Sequence, residues 1–174
     1  MKSPYFSQLA TALVHLRLAE IIHLTEFVKW VRNQRGTLFI AGNGGSFAVA
    51  QHWAVDLQNA RLKTYCLGSN PARLTAYSND VGYEEALRTE FWDMVNPSTD
   101  AVILLSCSGT SKNIVSVRRT AEMHAIPSYL ITSDNFPGDS GVGLIKVESR
   151  DYGVAEDVFS AIGHYLTLEL SNEQ

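Results

Sequence analysis

A regular alternation of short apolar runs with segments of helical period limits the fold of this chain more than any other feature. The runs are "TLFIA" (37–41), "KTYCL" (63–67), "AVILLS" (101–106), "SYLIT" (128–132) and "LIKVE" (144–148). Helix-like segments separate them at about 46–59, 72–80, 84–95 and 111–124, and a last one follows at about 154–170. Apolar strands without polar alternation are buried on both faces, and strands joined through helices run parallel. The pattern predicts an α/β chain, a three-layer α/β/α sandwich around a five-stranded parallel sheet in flavodoxin-like order. Ligands in such sheets bind outside the carboxyl ends of the strands.

Ahead of the sheet, Phe6, Leu9, Leu13, Leu16, Ile21, Leu24, Phe27 and Val31 recur mostly every three or four residues. They predict a long amphipathic helix or a kinked pair within the N-terminal segment 1–35, packed on the domain or forming an oligomer interface. His15 and His23 within it read as ordinary packed or solvated residues. A length of 174 residues with 45% hydrophobic content suits one domain, 1–174, without repeat, low-complexity tract or linker.

Net charge of -4 and the absence of a Lys/Arg run argue against nucleic acid and anionic membrane surfaces as partners. Neither a secretory signal pattern nor an apolar stretch of about 18 residues is present. Cys66 and Cys107 show no metal-binding spacing, which fits a reduced, cytoplasmic setting.

Two loops leave strand carboxyl ends and enter helices: "AGNGGS" (41–46) and "SCSGTSKN" (106–113). In the first, Gly42 to Ser46 include adjacent glycines that expose backbone N–H groups at a helix start, where anions are favoured. In the second, Ser106, Ser108, Thr110 and Ser111 add hydroxyl donors around Gly109. Together they suit a phosphate monoester; the alternative is that Ser and Thr only cap helices and the glycines only turn corners. A dinucleotide site is disfavoured, because Phe47 stands where a third Gly or Ala is needed and no acidic residue follows the next strand in "LGSNPARL". No P-loop is present. "GDSG" (138–141) matches the nucleophile motif of chymotrypsin-like proteases, but the parallel pattern is the wrong setting for it.

His52 and Asp56 stand four residues apart behind the glycine loop, on one helix face, a spacing that suits a shared metal, acid–base work or a surface hydrogen bond. Glu156 and His164 lie in the otherwise apolar last segment. Eight helical residues rise about 12 Å and turn about 80° past two circles, so both can look to one side without reaching one ion from a straight helix. Either Glu156 precedes the regular helix or another subunit supplies one of the pair.

In order along the chain, "GNGGS", "AQHWAVDL", "LTAYSNDVGY", "LLSCSGTSKN" and "IGHYLTLEL" resemble the SIS (sugar isomerase) domain family, and most of all its phosphoheptose isomerase branch. The resemblance covers nearly the whole chain. It implies a homotetramer that binds a phosphorylated sugar at subunit interfaces. By the same likeness Asn43, Gly44, Gly45 and Ser46 line the substrate, Asn79 and Asp80 hold sugar hydroxyls, and Ser106, Cys107, Ser108 and Ser111 grip the phosphate. His52, Asp56, Glu156 and His164 fall where the family holds a zinc ion.

Three positions depart from that pattern. Asp56 replaces a Glu and is shorter by one methylene, Glu156 replaces a Gln and adds a charge, and Cys107 replaces a common Thr. A divalent metal, zinc above others, is expected at the His/carboxylate set, and the substitution at Cys107 is expected to be tolerated because the backbone N–H remains. The activity implied is isomerisation of a ketose phosphate of the sedoheptulose 7-phosphate type through an enediol or enediolate. Asp56 or Glu156 would serve as base and His164 as its partner. The alternatives are a non-catalytic phosphosugar-binding or regulatory protein, including a replication-initiator-associating type, and an isomerase of a pentose, hexose or amino sugar phosphate.

Overall fold

A computed structural model describes residues 4–138 and 143–172. Its elements in chain order are α1 (Pro4–Val14), α2 (Leu18–Asn33), β1 (Thr37–Ala41), α3 (Gly44–Asn59), β2 (Lys63–Cys66), α4 (Pro71–Val81), α5 (Tyr83–Met94), β3 (Ala101–Leu105), α6 (Lys112–Met123), β4 (Ser128–Ser133), β5 (Leu144–Val147) and α7 (Tyr152–Ser171). The five strands pair in parallel in the order β2-β1-β3-β4-β5. The flavodoxin-like order and the helix-covered parallel sheet expected from the sequence are both present. Asp139, Ser140 and Gly141 of the protease-like tetrapeptide lie outside the described residues.

Period-two alternation divides each central strand between two cores. Leu38, Ile40, Ala101, Ile103 and Leu105 face the core shared with α2, α3 and α7, whereas Phe39, Ala41, Val102 and Leu104 face the core shared with α5 and α6. Both faces are thus apolar, which is why the runs read as continuous rather than alternating in the sequence.

The N-terminal stripe resolves into the kinked pair, interrupted between Val14 and Leu18. His15 at the break places Nδ1 2.8 Å from Glu148 Oε2 just beyond β5, and His23 is exposed. On α2 the stripe is buried through Ile21, Leu24 and Val31, but on α1 only Ala12 is buried, while Phe6 is 71% exposed. No described helix is long and apolar enough to cross a membrane.

The closest helix contact that bears on the site joins α3 to α7. The indole of Trp53, 1% exposed, lies directly on Gly163, and its Nε1–H donates to the Phe159 carbonyl at 3.0 Å. A methyl group at position 163 would occupy the space of the indole. Replacing Gly163 with Ala is therefore expected to destabilise the fold by about 1–3 kcal/mol, read as a lower urea midpoint at unchanged m-value. Both cysteines are free and buried. Burial pushes the Cys66 thiol up to about 12 and that of Cys107 up to about 11, with the nearby Glu90 and Glu156 charges adding in the same direction. A thiol at about 11 is ~0.1% thiolate at pH 8, so iodoacetamide should leave both unmodified until urea unfolds the chain. Because the folded values are raised, their contribution to stability is complete below the unfolded thiol range. It is lost as pH climbs from about 9 towards 11, so the melting temperature should fall over that window.

Candidate active site

β1 and β3 are adjacent, so the glycine loop and the serine loop emerge side by side at the carboxyl edge of the sheet. Asn43 is the residue before α3 and Ser111 the residue before α6, yet neither side chain makes a capping hydrogen bond. The purely structural alternative, in which polar loop residues do nothing but cap, does not describe these two positions. Between the loops opens a small cleft of about 90 Å³. Asn43, Ser46, Ser106, Cys107, Ser108 and Ser111 line it, and α7 adds Tyr152 and Glu156. A second cleft of about 110 Å³ shares Asn43 and includes Gly44, Gly68 and Tyr83.

Local hydrogen bonds shape the serine loop. Ser106 Oγ accepts the Gly109 N–H at 3.2 Å and Ser108 Oγ accepts that of Thr110 at 3.3 Å. The Cys107 carbonyl accepts from Ser133 Oγ at 2.8 Å and Thr132 Oγ1 at 3.2 Å, which anchors the loop to β4. The Cys107 side chain turns inward, 4% exposed, with Sγ 4.0 Å from Ser46 Oγ. Its high pKa makes it a neutral packing group rather than a nucleophile.

Glu156 is held from two sides. Ser46 Oγ donates to Oε1 at 2.9 Å, and the carboxylate lies flat on Gly45, where a side chain would collide with it. The glycine at 45 thus serves a close approach between the loop and α7.

On the outer side of the same two helices, His52 and His164 face each other with Nε2 atoms 3.0 Å apart. Asp56 Oδ2 stands 3.2 Å from His52 Nε2 and 3.8 Å from His164 Nε2. Both imidazoles are more than half exposed. The three residues form a group able to hold a metal ion, and Glu156 is not in it. Of the two alternatives for Glu156, the one in which it precedes the regular helix does not hold: α7 begins at Tyr152, so Glu156 lies inside the helix, two turns from His164, and its carboxylate accepts from Ser46.

Asn79 and Asp80 are exposed on α4, where Asn79 Nδ2 donates to Asp80 Oδ1 at 3.0 Å; they line neither cleft. Sequence reasoning passed over Asn113, Tyr83 and Tyr152. Asn113 and Tyr83 lie inside motifs that the sequence displays, but their roles depend on a contact between α5, α6 and the glycine loop that no local spacing encodes.

No family model matches the chain. It is 29% identical over 164 residues to the probable phosphoheptose isomerase of Thermoplasma acidophilum, covering 91% of this chain and 87% of the relative. It is 28% identical over 177 residues to the phosphoheptose isomerase of Chlorobium limicola, covering 93% and 80%. In fold it is similar to the phosphoheptose isomerase GmhA of Neisseria gonorrhoeae, with a TM-score of 0.83 at 21% identity over 95% of this chain and 93% of the other. Two sequence relatives of one name that span 91% and 93% of this chain, the shared fold and the ordered motifs at the sheet's carboxyl edge make the chain a relative of the phosphoheptose isomerases.

Proposed function

We propose that this protein, as a single SIS domain in each subunit, isomerises a ketose phosphate of the sedoheptulose 7-phosphate type by proton transfer through an enediol or enediolate. One observation carries the reading: a carboxylate, Glu156, stands in a cleft walled by the hydroxyls of Ser46, Ser106, Ser108 and Ser111. The uncapped start of α6 and the serine hydroxyls suit the phosphate, and the glycine loop with Asn43, Gly44 and Gly45 suits the sugar.

The donors of His52, Asp56 and His164 are separated by 3.0–3.8 Å. Ligands about 2.0–2.1 Å from a tetrahedral centre lie ~3.3 Å apart, so the set fits zinc or a similar divalent ion. Such an ion, when bound, supplies charge stabilisation to carbonyl and hydroxyl oxygens. Asp56 and Glu156 are the carboxylates available to take the carbon-bound proton. Glu156 is in the cleft wall, while Asp56 is turned towards the imidazoles, so we assign the proton to Glu156 and the orienting role to Asp56. His164, beside Asp56, is the partner acid in the ion-free site, since a nitrogen that holds the ion has no proton to give.

A homotetramer with sites at subunit interfaces accommodates two features of the isolated chain. Phe6, Val14 and Leu18 leave apolar surface on the N-terminal pair, and Asn79 and Asp80 stand away from both clefts. The free, buried thiols are in keeping with a cytoplasmic setting. A second reading, phosphosugar binding without turnover, is favoured by the separation of Glu156 from the His/Asp group.

Incubating zinc-loaded protein in D2O with a panel of ketose and aldose phosphates tests both readings. Interconversion with deuterium entering at carbon is expected; tight binding with no exchange on any sugar would leave only the binding reading. Glu156→Gln is expected to lower turnover ~10²–10⁴-fold, the range of a lost general base. Asp56→Asn should lose activity that excess zinc restores. Unchanged turnover in Glu156→Gln would remove it as base. Calorimetric zinc titration of the chelator-treated protein should show stoichiometric binding that disappears in His52→Ala; equal binding in that variant would sink the three-residue site.

A further inference from the structure

Asn43 stands at the N-cap of α3, but its amide is turned away from the helix and towards Asn113 in the first turn of α6. Asn43 Nδ2 donates to Asn113 Oδ1 at 2.9 Å, and Asn113 Nδ2 donates to Asn43 Oδ1 at 2.8 Å. The direction of this reciprocal pair is determined by a third bond. Asn113 Oδ1 also accepts the backbone N–H of Ile114 at 3.0 Å, and a backbone N–H only donates. With Asn113 so oriented, Asn43 offers its carbonyl oxygen to Tyr83, whose hydroxyl donates to it at 2.9 Å.

We propose that Tyr83 is a positioning residue that, together with Asn113, holds the Asn43 amide in place as a hydrogen-bond donor towards the ligand; the inference rests on the phosphosugar reading. Both lone pairs of Asn43 Oδ1 are taken by Asn113 and Tyr83, and one N–H is taken by Asn113. The second N–H is what this amide has left to offer, and it meets an oxygen acceptor such as a sugar hydroxyl. Asn43 belongs to the walls of both clefts, so the orientation of its amide bears on the point where they meet.

The neighbours of Tyr83 separate this role from simple packing. Glu84 pairs with Lys112 at 2.6 Å and Glu85 accepts from Ser116 Oγ at 2.9 Å, so both stitch α5 to α6. Of the three, Tyr83 alone reaches Asn43 among the described contacts. Tyr83 is 54% exposed, so removal of the hydroxyl leaves the core intact.

Tyr83→Phe and Glu84→Gln test the assignment by steady-state kinetics on whichever sugar phosphate the wild-type protein converts. Calorimetry with sorbitol 6-phosphate, which cannot isomerise, and with inorganic phosphate supplies a readout independent of turnover. Loss of one neutral hydrogen bond corresponds to about a five-fold change, so Tyr83→Phe should raise KM and the sorbitol 6-phosphate Kd about five-fold. Its kcat should stay within about two-fold, because the interaction serves ground state and transition state alike. Inorganic phosphate, which engages the serine loop, should bind as in the wild type, and Glu84→Gln should change none of these values. Equal KM and Kd in Tyr83→Phe and wild type overturns the inference and leaves the phosphosugar reading standing. The same rise in Glu84→Gln also overturns it, by showing that α5–α6 packing is responsible. A wild-type protein that neither binds nor converts any sugar phosphate overturns both.

Discussion

The candidate site depends on how closely α7 lies against α3. At Gly163 the absence of a side chain lets the Trp53 indole rest on the α7 backbone, and the indole N–H is satisfied by the Phe159 carbonyl one turn earlier. That contact sets the separation of the two helices, and the polar residues on either side of it inherit the spacing. One residue beyond Gly163, His164 comes within 3.0 Å of His52; two turns before, Glu156 meets Ser46 and Gly45. A fully buried aromatic against a glycine is a stiff contact in a close-packed interior. The His/Asp group and the cleft are thus two outcomes of one helix crossing.

The sheet was legible in the sequence because its signal is local. Runs such as "AVILLS" suit strands buried on both faces, as in a helix-covered parallel sheet, and the structure shows Ala101 to Leu105 fully buried. The pairing of His52 with Asp56 was equally legible, since four-residue spacing on a helix fixes a shared face. What could not be read was the partition of α7. Eight residues apart, Glu156 and His164 point to one side, but which of them meets the metal group is decided by where along α7 the Gly163 contact falls. The stripe on α1 was legible as a helix but not in what it meets: its period is helical, yet Phe6 is 71% exposed on this chain.

The Asn43–Asn113–Tyr83 network was illegible for a different reason. All three residues sit in motifs that mark the family likeness, but each belongs to a different helix start, α3, α6 or α5. Side-chain amides that cap helices and amides that bridge loops have the same sequence signature, a polar residue ahead of an apolar run. Only the tertiary fold separates the two uses, and here it sends both the Asn43 amide and the Tyr83 hydroxyl into the junction between the loops.

On the phosphosugar reading, the charge at Glu156 orders the ligand along the cleft. No lysine or arginine is among the residues lining the cleft, so the attraction available to a phosphate comes from neutral hydroxyls and the start of α6, where the Ser111 side chain makes no capping bond. Two unit charges of one sign repel by about 4 kcal/mol at 4 Å in an effective dielectric of 20, more than a single neutral hydrogen bond returns. A phosphate is therefore driven to the serine-loop end and away from the carboxylate. On the same reading the sugar extends from the serine loop towards Glu156 and Asn43, which brings its carbon chain, not its phosphate, to the carboxylate proposed as base. A Gln at this position would leave that placement to the serine loop alone; the Glu in this chain adds a repulsion that acts in the same direction.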